Sequence, residues 1–189
     1  MSADARTAVL FDLDSTLRNS RQRHHLSPVR LANGQPPDNG GLTPRDWHDY
    51  AMAGITDVPM MGPITALRLF WPHHQIHIVS GSNESARGNT LQWLDRHVGL
   101  NWIDGVHLRA DDDFTENGPY KVAHVLALRE QGIETVLFFE DWAPAAQHIE
   151  AVGLVPVVCV NPCYPCKTCG VDPLADALAG QIDNRGGGL

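Results

Sequence analysis

At 189 residues, with 43% apolar and 19% charged, the chain has the composition of a globular protein and the length for one sizeable core. A formal charge of −8 offers no basic field for coating nucleic acid, and no segment approaches the roughly 20 apolar residues of a membrane span. The polar opening "MSADART" carries no signal-peptide pattern, so a soluble, cytoplasmic protein is expected.

"TAVLF" (7–11) reads as a buried strand. Residues 18–62 follow, rich in Pro, Gly, Asn and Arg, with one short helix candidate, "TPRDWHDYAMAG" (43–54). A long irregular stretch here predicts an extended functional flap rather than a linker. "PITALRLFW" (63–71) has helical apolar spacing, and "QIHIVS" (75–80) alternates as a strand does. "NESARGNTLQWLDRHV" (83–98) reads as a helix capped by Asn83, and "DGVHLRA" (104–110) as a strand. Next come a helix over "PYKVAHVLALREQG" (119–132), stopped by Gly132, and a buried strand, "ETVLFFE" (134–140). A short helix, "PAAQHIEAVG" (144–153), and a last strand, "LVPVVCV" (154–160), complete the pattern. The alternation predicts an α/β, doubly wound, Rossmann-like parallel sheet over residues 1–160. Residues 161–189 are expected to be a Cys-rich loop and tail.

Ligands of such sheets bind at the carboxyl ends of the strands. Asp12 and Asp14 follow the first strand, Ser80 ends "QIHIVS", and Glu140 and Asp141 end "ETVLFFE". Taken singly, these residues could be a turn, a helix N-terminus or a helix cap, and Lys121 could be a solvated helix residue. Their convergence on one edge favours a site. Clustered carboxylates call for a hard cation, and Mg²⁺ accepts one or two of them together with a substrate phosphate.

"DLDST", "HIVSGS", "GPYKVA" and "LFFEDW" occur in the order of the four motifs of the haloacid dehalogenase-like phosphohydrolases, and the chain resembles that family over roughly residues 7–160. The resemblance implies that Asp12 is a nucleophile forming an aspartyl-phosphate. It implies that Asp14 protonates the leaving oxygen, deprotonates the attacking water and lends its carbonyl to Mg²⁺. Thr16 would steady the acidic loop, and Ser80 with the Gly81 amide would hold a phosphate oxygen. Lys121 would offset charge, and Asp141, with Glu140 through water, would join Asp12 and Asp14 around the metal. No insertion large enough for a separate cap lies between Ser80 and Lys121.

Within the family the spacing is most similar to the phosphatase domain of phage-type polynucleotide kinases, which implies removal of 3′-phosphates from nucleic-acid ends. That domain usually has an Arg directly after Ser-Gly, where this chain has Ser82; Arg87 is the candidate replacement. No G-x-x-x-x-G-K-[ST] kinase motif is present. The alternatives are a nucleotide monophosphatase and, in another class, a non-catalytic phosphate- or partner-binding module. The substrate class is therefore a phosphorylated nucleic-acid end or nucleotide, with no membrane and no obligatory protein partner. Arg18, Arg21, Arg23, Trp47 and Tyr50 could line a base pocket or strand groove. Flap packing and a solvated basic loop is the favoured reading of them. His24 and His25 are the histidines to test for substrate contact. Cys163, Cys166 and Cys169 have the C-x-x-C spacing of half a zinc knuckle, and structural zinc is a candidate beside reduced or redox-sensitive thiols.

Overall fold

The computed structural model describes residues 6–28 and 44–160. Five strands, β1 (Arg6–Phe11), β4 (Gln75–Asn83), β5 (Gly105–Arg109), β6 (Ile133–Glu140) and β7 (Val157–Cys159), form a parallel sheet in the order β5-β4-β1-β6-β7. β1 is central, and Ala8, Val9, Leu10 and Phe11 are completely buried. A strand covered on both faces has no use for alternation, which explains its continuous apolar run.

Helices cover both faces. α2 (Met61–Phe70) and α3 (Arg87–His97) send Ile64, Leu67, Trp93 and Leu94 into one core with Val9, Phe11, Ile76 and Ile78. α4 (Asn117–Glu130) and α5 (Ala143–Val152) pack Tyr120, Val125, Leu128 and Ile149 on the other, with Leu10, Val79 and Phe138. Gly132 (φ 73°) and Gly153 (φ 70°) end the chain's approach to β6 and α5 itself in the left-handed conformation open to glycine.

Three expectations shift. β4 runs three residues past Ser80, to Asn83. The α3 helix starts at Arg87 after a 3-10 turn (Glu84–Ala86), and the Asn83 side chain makes no capping hydrogen bond. Asn83 pairs with Arg109 of β5 and is at the same time the residue that precedes the 3-10 turn, so it ends the strand and opens the helical entry without a side-chain cap. Finally, the described parts of 18–62 are folded rather than extended. β2 (Arg18–Asn19) pairs antiparallel with β3 (Val58–Pro59), closing the base of the segment, with a 3-10 run (Ser20–Leu26) and the short α1 (His48–Ala53) beyond. Cys163, Cys166 and Cys169 lie outside the described residues. Cys159 is half-buried in β7. Among the described residues, no helix is long and apolar enough to cross a membrane.

The chain steps from β1 outward to β4 and β5, then crosses to β6 and β7 on the other side of β1. That reversal opens a crevice at the carboxyl ends of β1 and β6.

Candidate active site

Phe11 and Phe139 stack with ring centroids 4.4 Å apart, one residue before Asp12 and Glu140 respectively. The Asp12 amide donates to the Phe139 carbonyl at 2.8 Å. Packing and ladder together thus fix the two strand ends side by side. Oxygens of Asp12, Glu140 and Asp141 lie within 4.8 Å of one another. Lys121, on the first turns of α4 and 3% exposed, donates to Asp12 Oδ1 at 2.8 Å and to Glu140 Oε2. Glu140, fully buried, also accepts from the Trp142 amide at 3.0 Å. Thr16 Oγ1 stands 3.5 Å from Asp141 Oδ1.

One ammonium among three carboxylates leaves a negative excess. Burial, opposed by Lys121 and reinforced by Glu140 and Asp14, pushes the Asp12 carboxyl up to about 7. Burial, then the charges of Asp12 and Glu140, raises Asp141 well above the usual carboxylate range. Such a cluster fits a hard divalent cation: oxygen donors only, close together, with unneutralised charge.

Asp14 is treated oppositely. The chain turns sharply after it, with Ser15 at φ 62° and both the Leu17 and Arg18 amides bonded to the Leu13 carbonyl. This turn carries the Asp14 side chain away from the three acids and onto two arginines. Arg18 Nε donates to Asp14 Oδ1 at 2.6 Å and Arg23 Nη2 donates to the same oxygen, while Ser82 Oγ donates to Oδ2 at 2.8 Å. Burial alone would raise this carboxyl, but the guanidiniums win and hold it far below its ordinary value. Arg23 is positioned in turn by Asp57 Oδ2 (2.7 Å), the Tyr50 carbonyl (2.8 Å) and the Tyr50 ring, 3.9 Å away. The Trp93 indole fixes the Asp57 carbonyl at 2.8 Å.

Ser80 is buried at the β4 end, its Oγ accepting from the Ser82 amide at 3.1 Å. Gly81 stands against Asn117, whose Oδ1 would lie 2.6 Å from any Cβ added there. Asn117 is held by Arg109 Nη2 at 2.5 Å, and Arg109 also donates to the Thr115 carbonyl and lies over the Tyr120 ring.

The structure therefore brings Asp12, Thr16, Lys121, Glu140 and Asp141 together, with Asp14 beside them as a separately paired group. Two expected substrate contacts have partners within the protein. Arg18 is fully buried against Asp14 and the Trp93 ring. Arg87 binds Glu84 and the Val106 carbonyl on the β5 side. Trp47 packs edge-on against Tyr50, 5.4 Å away, in keeping with flap packing, and Arg21 and His25 are exposed. Arg109, Asn117 and Asp57 were missed. Arg109 ends β5, and the strand-end rule applied to that strand would have found it; nothing in the sequence marks Asp57.

No protein-family model and no curated protein matches the chain. Solved structures do. A chain of the Pnkp1/Rnl/Hen1 complex is 18% identical over 85% of this chain and 48% of its own length, with TM-score 0.62. The haloacid dehalogenase-like family protein SP0104 of Streptococcus pneumoniae is 16% identical over 83% of this chain and 85% of its own, with TM-score 0.58. A class C acid phosphatase of Bacillus anthracis, with tungstate bound, is 17% identical over 100% and 82%, with TM-score 0.52. This chain spans about half the length of the repair-complex chain.

Proposed function

We propose that this chain, which has the fold of the haloacid dehalogenase-like hydrolases, is a magnesium-dependent phosphomonoesterase working through an aspartyl-phosphate on Asp12. The observation that carries the reading is the meeting of Asp12 with Lys121, Glu140 and Asp141 at the β1/β6 crevice. A nucleophilic carboxylate needs to be ionised, and at Asp12 the Lys121 ammonium opposes the rise that burial imposes, as a cation held by the three acids would.

In the first step an Asp12 oxygen attacks phosphorus and the bond to the ester oxygen breaks, the departing oxygen taking its proton from Asp14. In the second, water attacks the same phosphorus, the bond to Asp12 breaks, and Asp14 accepts the water's proton. Lys121 orients Asp12 and offsets charge during both steps. Ser80, with the Gly81 amide, would hold a phosphate oxygen, and Arg109 and Asn117 keep that turn in place. Magnesium, held by Asp12 and Asp141 with Glu140 behind them and the Asp14 carbonyl beside them, would neutralise charge on the transferring phosphoryl group.

For the substrate we favour a 3′-phosphate at a nucleic-acid end. The support is the likeness to a chain of an RNA repair complex and the segment between Ser80 and Lys121, which α3 and β5 fill without a folded cap. The test is phosphate release with Mg²⁺ from a 3′-phosphorylated oligonucleotide and from 5′- and 3′-mononucleotides. Asp12→Asn is expected to lose turnover on all of them with its fold intact. Preference for mononucleotides would make the chain a nucleotidase, and substantial residual activity in Asp12→Asn would overturn the mechanism.

A further inference from the structure

β4 does not pair evenly with β5. Ser80 is the partner of Leu108 and Asn83 the partner of Arg109, so Gly81 and Ser82 are extra residues on the β4 side of the ladder. A bulge of this kind re-aims the side chains it carries. Here the Ser82 amide donates back to Ser80 Oγ at 3.1 Å, and the Ser82 hydroxyl crosses to the loop after β1 and donates to Asp14 Oδ2 at 2.8 Å. Ser82 is buried, so water competes little for that hydroxyl. We propose that Ser82 is a positioning residue for proton transfer: its hydroxyl fixes Oδ2 as the Asp14 oxygen that gives and takes the proton. The assignment rests on the role proposed above for Asp14.

The two oxygens of Asp14 are not equivalent. Arg18 Nε and Arg23 Nη2 both donate to Oδ1. A guanidinium has no lone pair to offer a proton held there. Oδ2 instead meets a neutral hydroxyl, which donates to the carboxylate and can turn its own proton aside when Oδ2 is protonated. A proton arriving at Oδ1 would displace two cationic donors; one arriving at Oδ2 meets a partner that serves either state.

The hydroxyl also fixes the carboxylate plane. Two contacts on one oxygen leave the group free to swing about that atom, and a third contact, on the other oxygen, stops the swing. Proton transfer needs its oxygen within hydrogen-bond reach of the reacting atom, so a displacement of about 1 Å is enough to slow it. The two bonds of Ser82 serve different tasks. Its amide holds Ser80 Oγ as an acceptor and leaves the Ser80 proton for a phosphate oxygen, whereas its hydroxyl serves Asp14 alone. Removing the hydroxyl separates the two.

The test is Ser82→Ala, alone and combined with Asp14→Asn, in steady-state hydrolysis of nitrophenyl phosphate with Mg²⁺, a substrate whose leaving group needs no proton. In the intact background kcat is expected to fall at least ~10-fold, through the base step. Competitive inhibition by inorganic phosphate should stay within about twofold of the wild type, because the amide remains. In the Asp14→Asn background the same change should cost less than about twofold, since the group it positions is gone. Equal losses in both backgrounds, no loss in the first, or weakened phosphate inhibition in step with kcat would overturn the role of Ser82 and leave that of Asp14 standing. Wild-type turnover in Asp14→Asn would instead strike the role of Asp14, and this proposal with it.

Discussion

Gly81→Ala tests whether the phosphate-binding turn depends on the space that glycine leaves. The new Cβ would sit 2.6 Å from Asn117 Oδ1, where ordinary contact begins at 3.4 Å, so roughly 0.8 Å must be found. The oxygen cannot yield freely, because Arg109 Nη2 holds it at 2.5 Å and Arg109 is itself buried. Overpacking of this kind costs about 1–3 kcal/mol, and displacing Asn117 would add the ~1–3 kcal/mol of a buried donor left without its acceptor. A destabilisation of about 2 kcal/mol and at least a tenfold loss of phosphate release are therefore expected, read by urea denaturation and steady-state kinetics. Asn117→Ala in the same chain removes the clash. The double variant should be more stable than the sum of the single losses by about 1 kcal/mol or more. If Gly81→Ala is as stable and active as the wild type, or if the two changes simply add, the proposed contact is not what constrains the turn.

Lys121→Met removes the cation shared by Asp12 and Glu140; phosphate release should fall at least ~100-fold. The acid-side limb of its pH profile should move to higher pH, because Lys121 is the charge that opposes the burial-driven rise of Asp12. Asp14→Asn should slow hydrolysis of an alkyl phosphate more than that of a nitrophenyl phosphate, whose leaving group needs no proton; equal losses on both would argue against proton donation by Asp14 in the first step, since the base step is common to both. Two partly buried histidines set an acid limit on stability. Burial lowers His77 and His124 to about 4 from 6.5, so between those values the unfolded chain binds more protons than the folded one. Stability should then decline as pH falls from about 6.5 towards 4, by on the order of 1 kcal/mol per histidine after allowing for their partial exposure. Melting curves of His124→Gln that keep the full decline would contradict this.

The sheet was legible because its signals are local. A central strand covered on both faces carries a continuous apolar run, as "AVLF" and "VLFF" do, and Gly132 and Gly153 mark the stops that only a left-handed residue makes easily. The acids were legible for a different reason, since strand ends of a parallel sheet point to one edge. What surrounds Asp14 was not. Arg18, Arg23 and Asp57 reach it only because β2 and β3 close the insert back on itself through two residues of pairing each. No periodicity announces so short a ribbon. An arginine-rich loop of low apolar content reads as solvated until tertiary structure supplies the carboxylates that make burial affordable. Asn83 was half legible: it stands at the cap position of the turn that enters α3, but it still belongs to β4 and its side chain makes no capping bond.

Asp12 and Asp14 are two residues apart and the fold sets their chemistry far apart. Asp12 shares one lysine with two other acids and is pushed towards neutrality, whereas Asp14 has two arginines and a serine hydroxyl for its two oxygens. When environments separate two carboxyls in this way, the separation indicates their roles. An Asp14 held ionised is ready to take a proton from water in the second step. As a proton donor in the first step it would have to be protonated against both guanidiniums, which gives the arginine pair a cost to the acid step and a benefit to the base step. Release of an alcohol such as a ribose hydroxyl therefore requires Arg18 or Arg23 to loosen when substrate binds. The negative charge of the incoming phosphate competes with Asp14 for a guanidinium. Substrate charge and proton transfer are then linked through the same two side chains.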